Sequence, residues 1–133
     1  MTGLNIQSPW CDWLLTGEKT VETRQYPLPK KYQNKSLVAI RTNNGPAKIV
    51  GLIKFSFSFK YNNKDHWLED YTRHLVEKND PNYGWKEGKW GWEVSDIIPF
   101  EMQILAPPNK GIIYTKDVFE KLGLDDKWIS LLM

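Results

Sequence analysis

Cysteine is nearly missing from this chain: Cys11 is the only one among 133 residues, and there are only two histidines. One cysteine forms no internal disulfide, and without a Cys/His quartet there is no structural zinc site of the usual kind. A chain this long builds one core without such staples, so a single domain over residues 1–133 is expected. Long apolar runs are also missing. No stretch reaches membrane-spanning length, and the start shows no charged-then-apolar signal segment. Together with the unpaired cysteine this leads us to expect a soluble protein of the reducing cytoplasm, with no membrane partner. Internal repeats, low-complexity tracts and linkers are missing too.

Aromatic residues are abundant, with seven tryptophans and 14% Phe, Trp and Tyr. Most aromatics fill cores, but tryptophan is also the side chain best suited to stack on a base. The net charge of +2 conceals an asymmetry. Residues 1–60 hold nine Lys/Arg against three acids, net +6, and residues 61–133 hold nine against thirteen, net −4. A basic half of this kind suits a polyanion, and it equally serves to solvate strand faces.

Pattern and punctuation place the elements. Thr2–Ile6 reads as a first strand. Ser8 and Pro9 open a helix that runs to Thr16 and is closed by Gly17, with Trp10, Trp13 and Leu14 on one face. Thr20–Arg24 is a second strand. Lys30–Lys35 forms a basic loop, and the apolar Ser36–Thr42 a buried central strand. From Ile49 to Tyr61 the chain alternates, with Ile53, Phe55, Phe57, Phe59 and Tyr61 on one face and a bend expected at Gly51. Asn63–Lys78 reads as a helix with Trp67, Leu68, Tyr71 and Leu75 buried. Strands over Trp92–Ile98 and Phe100–Leu105, separated by Pro99, follow a glycine- and aromatic-rich stretch. After the turn Pro107–Gly111 come a short extended Ile112–Tyr114, a helix to about Leu122 and a last helical turn in Asp125–Met133. Strands with helices inserted, rather than alternating with them, predict an α+β class.

The densest chemistry lies in Gly17-Glu18-Lys19-Thr20-Val21-Glu22-Thr23-Arg24, directly after Pro9-Trp10-Cys11-Asp12-Trp13-Leu14-Leu15. Period-two spacing puts Thr20, Glu22 and Arg24 on one strand face. A carboxylate between a guanidinium and hydroxyls reads a polar planar ligand or moves a proton, and it is also an ordinary same-face ion pair. His66, Asp70 and His74 at i, i+4, i+8 resemble metal-ligand spacing, but each step of four advances about 400°, so the two histidines diverge by about 80°. They are read as a solvated helix face, with no metal and no cofactor expected. Cys11 is read as a small half-buried filler.

Pro9-Trp10 followed by Gly17-x-Lys19-Thr20-x-Glu22-x-Arg24, then Trp90-Gly91-Trp92 and the proline-containing strand Pro99–Gly111, resembles the ASCH family of the PUA-like superfamily. That resemblance implies a small PUA-like β-barrel of mixed and antiparallel strands, with helices covering its openings. It also implies a cleft beside the first helix, lined by Trp10, Lys19, Thr20, Glu22, Arg24, Arg41 and Trp92. RNA, or a nucleotide-like piece of it, is the expected ligand, with Lys30, Lys31 and Lys35 as added nucleic-acid contacts. One enzymatic branch of the family hydrolyses acetylcytidine with a lysine, a threonine three residues on and a distant glutamate. Lys19 matches that lysine, while Glu22 stands at the threonine position. Other members cleave single-stranded RNA. The alternative is therefore a metal-independent hydrolase of RNA or a modified nucleoside, with Lys19 and Glu22 as the proton-transfer pair. A non-catalytic adaptor that binds a protein through its aromatic surface is a third reading.

Overall fold

The computed structural model describes residues 1–108, 113–125 and 127–133. The expected turn through Asn109–Gly111 and the first residue of the Ile112–Tyr114 segment lie outside the described residues. The order is β1 (Gly3–Gln7), α1 (Trp10–Thr16), β2 (Val21–Arg24), β3 (Ser36–Thr42), β4 (Lys48–Lys60), α2 (Lys64–Glu69), α3 (Tyr71–His74), β5 (Trp90–Leu105), β6 (Tyr114–Thr115) and α4 (Trp128–Leu132). Single 3-10 turns occur at Lys30–Tyr32 and Glu120–Leu122.

The strands form one curled, six-stranded mixed sheet in the order β2-β5-β4-β3-β1-β6. Only β1 and β3 run parallel; the other pairs are antiparallel. The apolar run Leu37–Ile40 makes β3 a central strand buried on both faces. Leu37 and Ala39 join Leu4, Ile6, Leu14, Phe55 and Trp92 in the core beneath α1. Val38 and Ile40 face the opposite way, toward Phe100, Val118, Phe119 and Leu132. A third cluster of Tyr61, Trp67 and Val76 sits under α2 and α3.

Helix α1 stops at Gly17, whose φ of 84° is left-handed and whose N–H bonds back to Leu14 O. The Ser8 hydroxyl bonds Asp12 Oδ2 at 2.8 Å rather than a backbone N–H, and Pro9 occupies the N-cap position. Gly51 lies at a register shift between β4 and β5, and a Cβ there would come within 2.6 Å of Ile98 O. No side chain fits so close an approach, which is why the sheet bends at a glycine.

Three expectations change. Strand β5 is continuous through Pro99, because β2 pairs with it only over Trp90–Glu93 and Pro99 falls beside the Gly51 irregularity. Further register shifts around Phe55 break the alternation of β4, leaving Phe57 49% exposed. The expected helix over 63–78 is two short helices ended by Leu75 at φ 58°, and Tyr71 is on the surface. His74, seven residues after the buried Trp67, faces inward. It is fully buried, stacked on Trp67 at 4.6 Å and 9°, and is not on a solvated face. Among the described residues no helix is long and apolar enough to cross a membrane.

Candidate functional site

Lys19 is placed by the turn that ends α1, with its N–H bonded to Trp13 O at 3.0 Å. The next residue, Thr20, donates to Arg73 O at 2.9 Å, and Val94 N donates to Thr20 O at 3.0 Å. The strand entry is thus tied to α3 on one side and β5 on the other. β2 then runs antiparallel to β5, with Glu22 opposite Trp92 and Arg24 opposite Trp90.

These constraints bring three charges together. Lys19 is 1% exposed and its Nζ donates to the His74 carbonyl. The same Nζ lies 3.5 Å from Glu22 Oε1, which also accepts from Thr23 N at 3.2 Å. Arg24 Nη2 donates to Glu22 Oε2 at 2.9 Å and to Asn5 O at 3.1 Å, and its guanidinium sits 5.6 Å from the centre of the Trp92 ring. Burial lowers the Lys19 pKa to about 8 against the pull of Glu22. For Glu22, burial raises the pKa, but the charges of Arg24 and Lys19 outweigh it, so the carboxyl is held below its ordinary value. It is an ionised acceptor at neutral pH.

Glu22 and Arg24 border a cavity of about 580 Å³. Trp10 and Tyr83 make its aromatic wall, edge to face at 5.1 Å. Gln7 Nε2 donates to the Tyr83 hydroxyl, and Trp10 Nε1 donates to Leu75 O at 3.3 Å. The left-handed turn at Leu75 therefore serves the site twice, since the adjacent carbonyls of His74 and Leu75 anchor Lys19 and Trp10. The His74 ring is locked as well: Nδ1 accepts from Val76 N at 3.0 Å, which leaves Nε2–H to donate to Trp67 O at 2.7 Å. Burial lowers its pKa to about 4, so it is neutral.

Of the residues expected from the sequence, Trp10, Glu22 and Arg24 line the cavity, and Lys19 stands behind Glu22 without lining it. Thr20 is exposed and off the cavity, one residue ahead of β2, where only its backbone is engaged by Arg73 and Val94. Trp92 is 0% exposed, a core residue that bonds Tyr26 O at 3.1 Å and underlies Arg24. Arg41 is drawn away to Asp12 at 3.2 Å and Gln103 at 3.4 Å. Lys30, Lys31 and Lys35 are exposed around the 3-10 turn. Lys30 borders a separate depression with Pro29 and Phe57. Cys11 is fully buried, and burial, then Asp12 and Glu22, push its thiol up to about 12, as befits a filler.

Sequence reasoning missed Asn5, Gln7, Lys86 and Lys89, which also line the cavity. Lysines 86 and 89 stand in the glycine- and aromatic-rich stretch before β5, among residues singled out only for their rings. Nothing local marks them. Among the described residues no three His, Cys, Asp or Glu side chains gather as metal ligands would.

Curled mixed sheet, covering helices and a cleft between α1 and β2 together define a small α+β module. No protein-family model matches the sequence, and no curated protein matches it. Solved structures do. The ASCH protein of Zymomonas mobilis superposes with a TM-score of 0.70 at 15% identity, covering 99% of this chain and 95% of that one. A single-residue variant of the same protein superposes with a TM-score of 0.71 at 14% identity, over 99% of this chain and 98% of that one. The chain has the ASCH fold.

Proposed function

We propose that this protein binds RNA by taking a nucleotide-sized piece into the cavity beside α1. The carrying observation is a buried, ionised Glu22, held from behind by Lys19 and from the side by Arg24, that faces a cavity of about 580 Å³ walled by Trp10 and Tyr83. That volume falls in the range of small-ligand sites, roughly 300–1,000 Å³. An aromatic wall supplies a stacking surface, and a fixed carboxylate accepts from a base's amino or ring N–H. Arg24 is committed to Glu22, so it orients the carboxylate more than it clamps phosphate. The working location is the cytoplasm, in keeping with one unpaired cysteine.

The test is a titration of short single-stranded RNA at two salt concentrations, followed by tryptophan fluorescence, with the recovered RNA then sized. Quenching that weakens with salt, and weakens further in Glu22→Gln, is the expected result. Salt-independent quenching, or none, rejects the reading.

A second reading, hydrolysis of RNA or of a modified nucleoside, is favoured by one observation: the ammonium of Lys19, lowered to about 8, touches Glu22. In that case cleavage of RNA or acetylcytidine occurs and disappears in Lys19→Ala and Glu22→Gln. Turnover that survives both substitutions rejects these roles.

A further inference from the structure

The cavity meets two chemically different groups of charged side chains. In one, Glu22 is neutralised by Lys19 and Arg24. In the other, Lys86 and Lys89 line the wall, and no carboxylate among the described residues forms an ion pair with either. Lys89 is the unusual member. It is 4% exposed, and its Nζ donates to one backbone carbonyl, Tyr83 O, at 2.7 Å. The ammonium also stands 5.3 Å from the centre of the Trp67 ring. An ammonium has three N–H donors, and a single carbonyl with a ring face leaves donor capacity unused in a place where water is scarce. A charge is costly to bury without a counter-ion.

Burial lowers the Lys89 pKa to about 8, and the charge of Lys86 adds to the lowering against the weaker opposing pull of Asp80 and Glu22, so the two cations lie within electrostatic reach of each other. Lys89 still carries its proton at neutral pH. Two like charges on one concave wall, one of them buried, gain most from an anion placed between them. Arg24 does not compete for that anion, because its guanidinium already serves Glu22 and Asn5 O.

We infer that Lys86 and Lys89 form an anion subsite, so that the cavity takes a phosphorylated nucleotide or a phosphate-bearing RNA terminus in preference to a neutral nucleoside. The subsite rests on the nucleotide-binding reading above, with the phosphate held by Lys86 and Lys89 and the base by Glu22, against Trp10 and Tyr83. A hydrogen-bonded charge pair in a partly dehydrated site makes about a tenfold difference in affinity or more.

The experiment titrates the four ribonucleosides and their 5′- and 3′-monophosphates into the full chain, with tryptophan fluorescence as readout and inorganic phosphate as control. At least one monophosphate binds tenfold or more tightly than its nucleoside. Lys89→Met, close in shape and uncharged, lowers monophosphate affinity more than nucleoside affinity and so brings that ratio toward one. Lys86→Glu, at an exposed position that leaves the fold alone, reduces the ratio even where Lys89→Met proves poorly folded by circular dichroism. Equal affinity of nucleoside and monophosphate, or a ratio unchanged in Lys86→Glu, overturns the subsite and leaves the nucleotide reading standing. No binding by any nucleoside, monophosphate or short RNA overturns both.

Discussion

Two pairs of cations lie at or just behind the wall of the same cavity, and they differ in what stands between them. Lys19 and Arg24 enclose a carboxylate, so every buried charge there has a partner and the three side chains hold one geometry. Lys86 and Lys89 form no ion pair among the described residues, and the carboxylates of Asp80 and Glu22 act on Lys89 only from beyond ion-pair contact. The first pair is built as structure and presents Glu22. The second is built as an open valence, waiting for a charge from outside. The difference also separates what each region costs the fold: a paired buried carboxylate is stable only while both neighbours remain, whereas an exposed cation such as Lys86 is dispensable to stability.

Glu22→Ala breaks the first region most severely. It leaves Lys19 and Arg24 facing each other without a counter-charge, and breaking a buried pair in this way costs about 3–5 kcal/mol. Urea denaturation checks it. A loss below about 1 kcal/mol would show that the triad is hydrated rather than buried.

Acid acts next. His74 has a folded pKa of about 4 against an ordinary 6.5, so the unfolded chain binds its proton first and stability falls as pH drops from about 6.5 to 4. That lowering corresponds to about 3 kcal/mol. Glu22, whose folded pKa is also lowered, adds a further loss as pH falls through its own folded value, below 4.5. On the alkaline side Lys19 and Lys89, both near 8 when folded and 10.5 when not, lose their protons first in the folded chain, so their contribution to stability rises between about pH 8 and 10.5. Denaturation midpoints from pH 4 to 10 should therefore slope down toward acid. In His74→Asn the slope between pH 6.5 and 4 should flatten, and an unchanged slope there would remove His74 from the account.

A smaller effect separates the two cationic pairs directly. Lys86→Ala should move thermal stability within about 0.5 kcal/mol of zero, as surface substitutions do, whereas Lys19→Met should lower it by more than about 1 kcal/mol because Glu22 loses its inner partner. Melting curves of the two variants side by side decide the matter.

The smallest effect concerns the outlying lysines. Lys30, Lys31 and Lys35 are exposed and away from the cavity. Replacing all three by alanine should leave mononucleotide affinity unchanged. It should weaken binding of longer RNA and lower the salt slope by about 0.7 for each phosphate no longer neutralised. An unchanged slope would assign these residues to solvation alone.

Much of the fold was legible because its signals are local. The run Leu37–Ile40 announced a strand buried on both faces, Gly17 announced the end of α1, and Gly51 announced the bend in β4. Each reflects a steric or solvation preference within a few residues. Where neighbours decide, the pattern misled. Phe57 followed the alternation of β4 and still faces solvent, because β5 imposes bulges on that strand. His74 was grouped with His66 on a solvated face and is buried, because it lies seven residues after Trp67 and its ring stacks on that buried side chain.

The site divides in the same way. Lys19, Glu22 and Arg24 lie within six residues, so a turn and one strand are enough to converge them, and the sequence by itself determined that a carboxylate would stand between two cations along the chain. The strand face it showed joined Glu22 to Arg24 alone; that Lys19 closes on the carboxylate from the other side, and which groups meet it from afar, only the tertiary structure decided. Long-range packing pins the loop 75–89 over α1, aims Lys89 into the cavity, buries Trp92 beneath Arg24 and draws Arg41 away to Asp12. Local sequence encodes backbone preference and face. Which face meets which neighbour is settled by burial across the whole sheet, and no window of a few residues contains it.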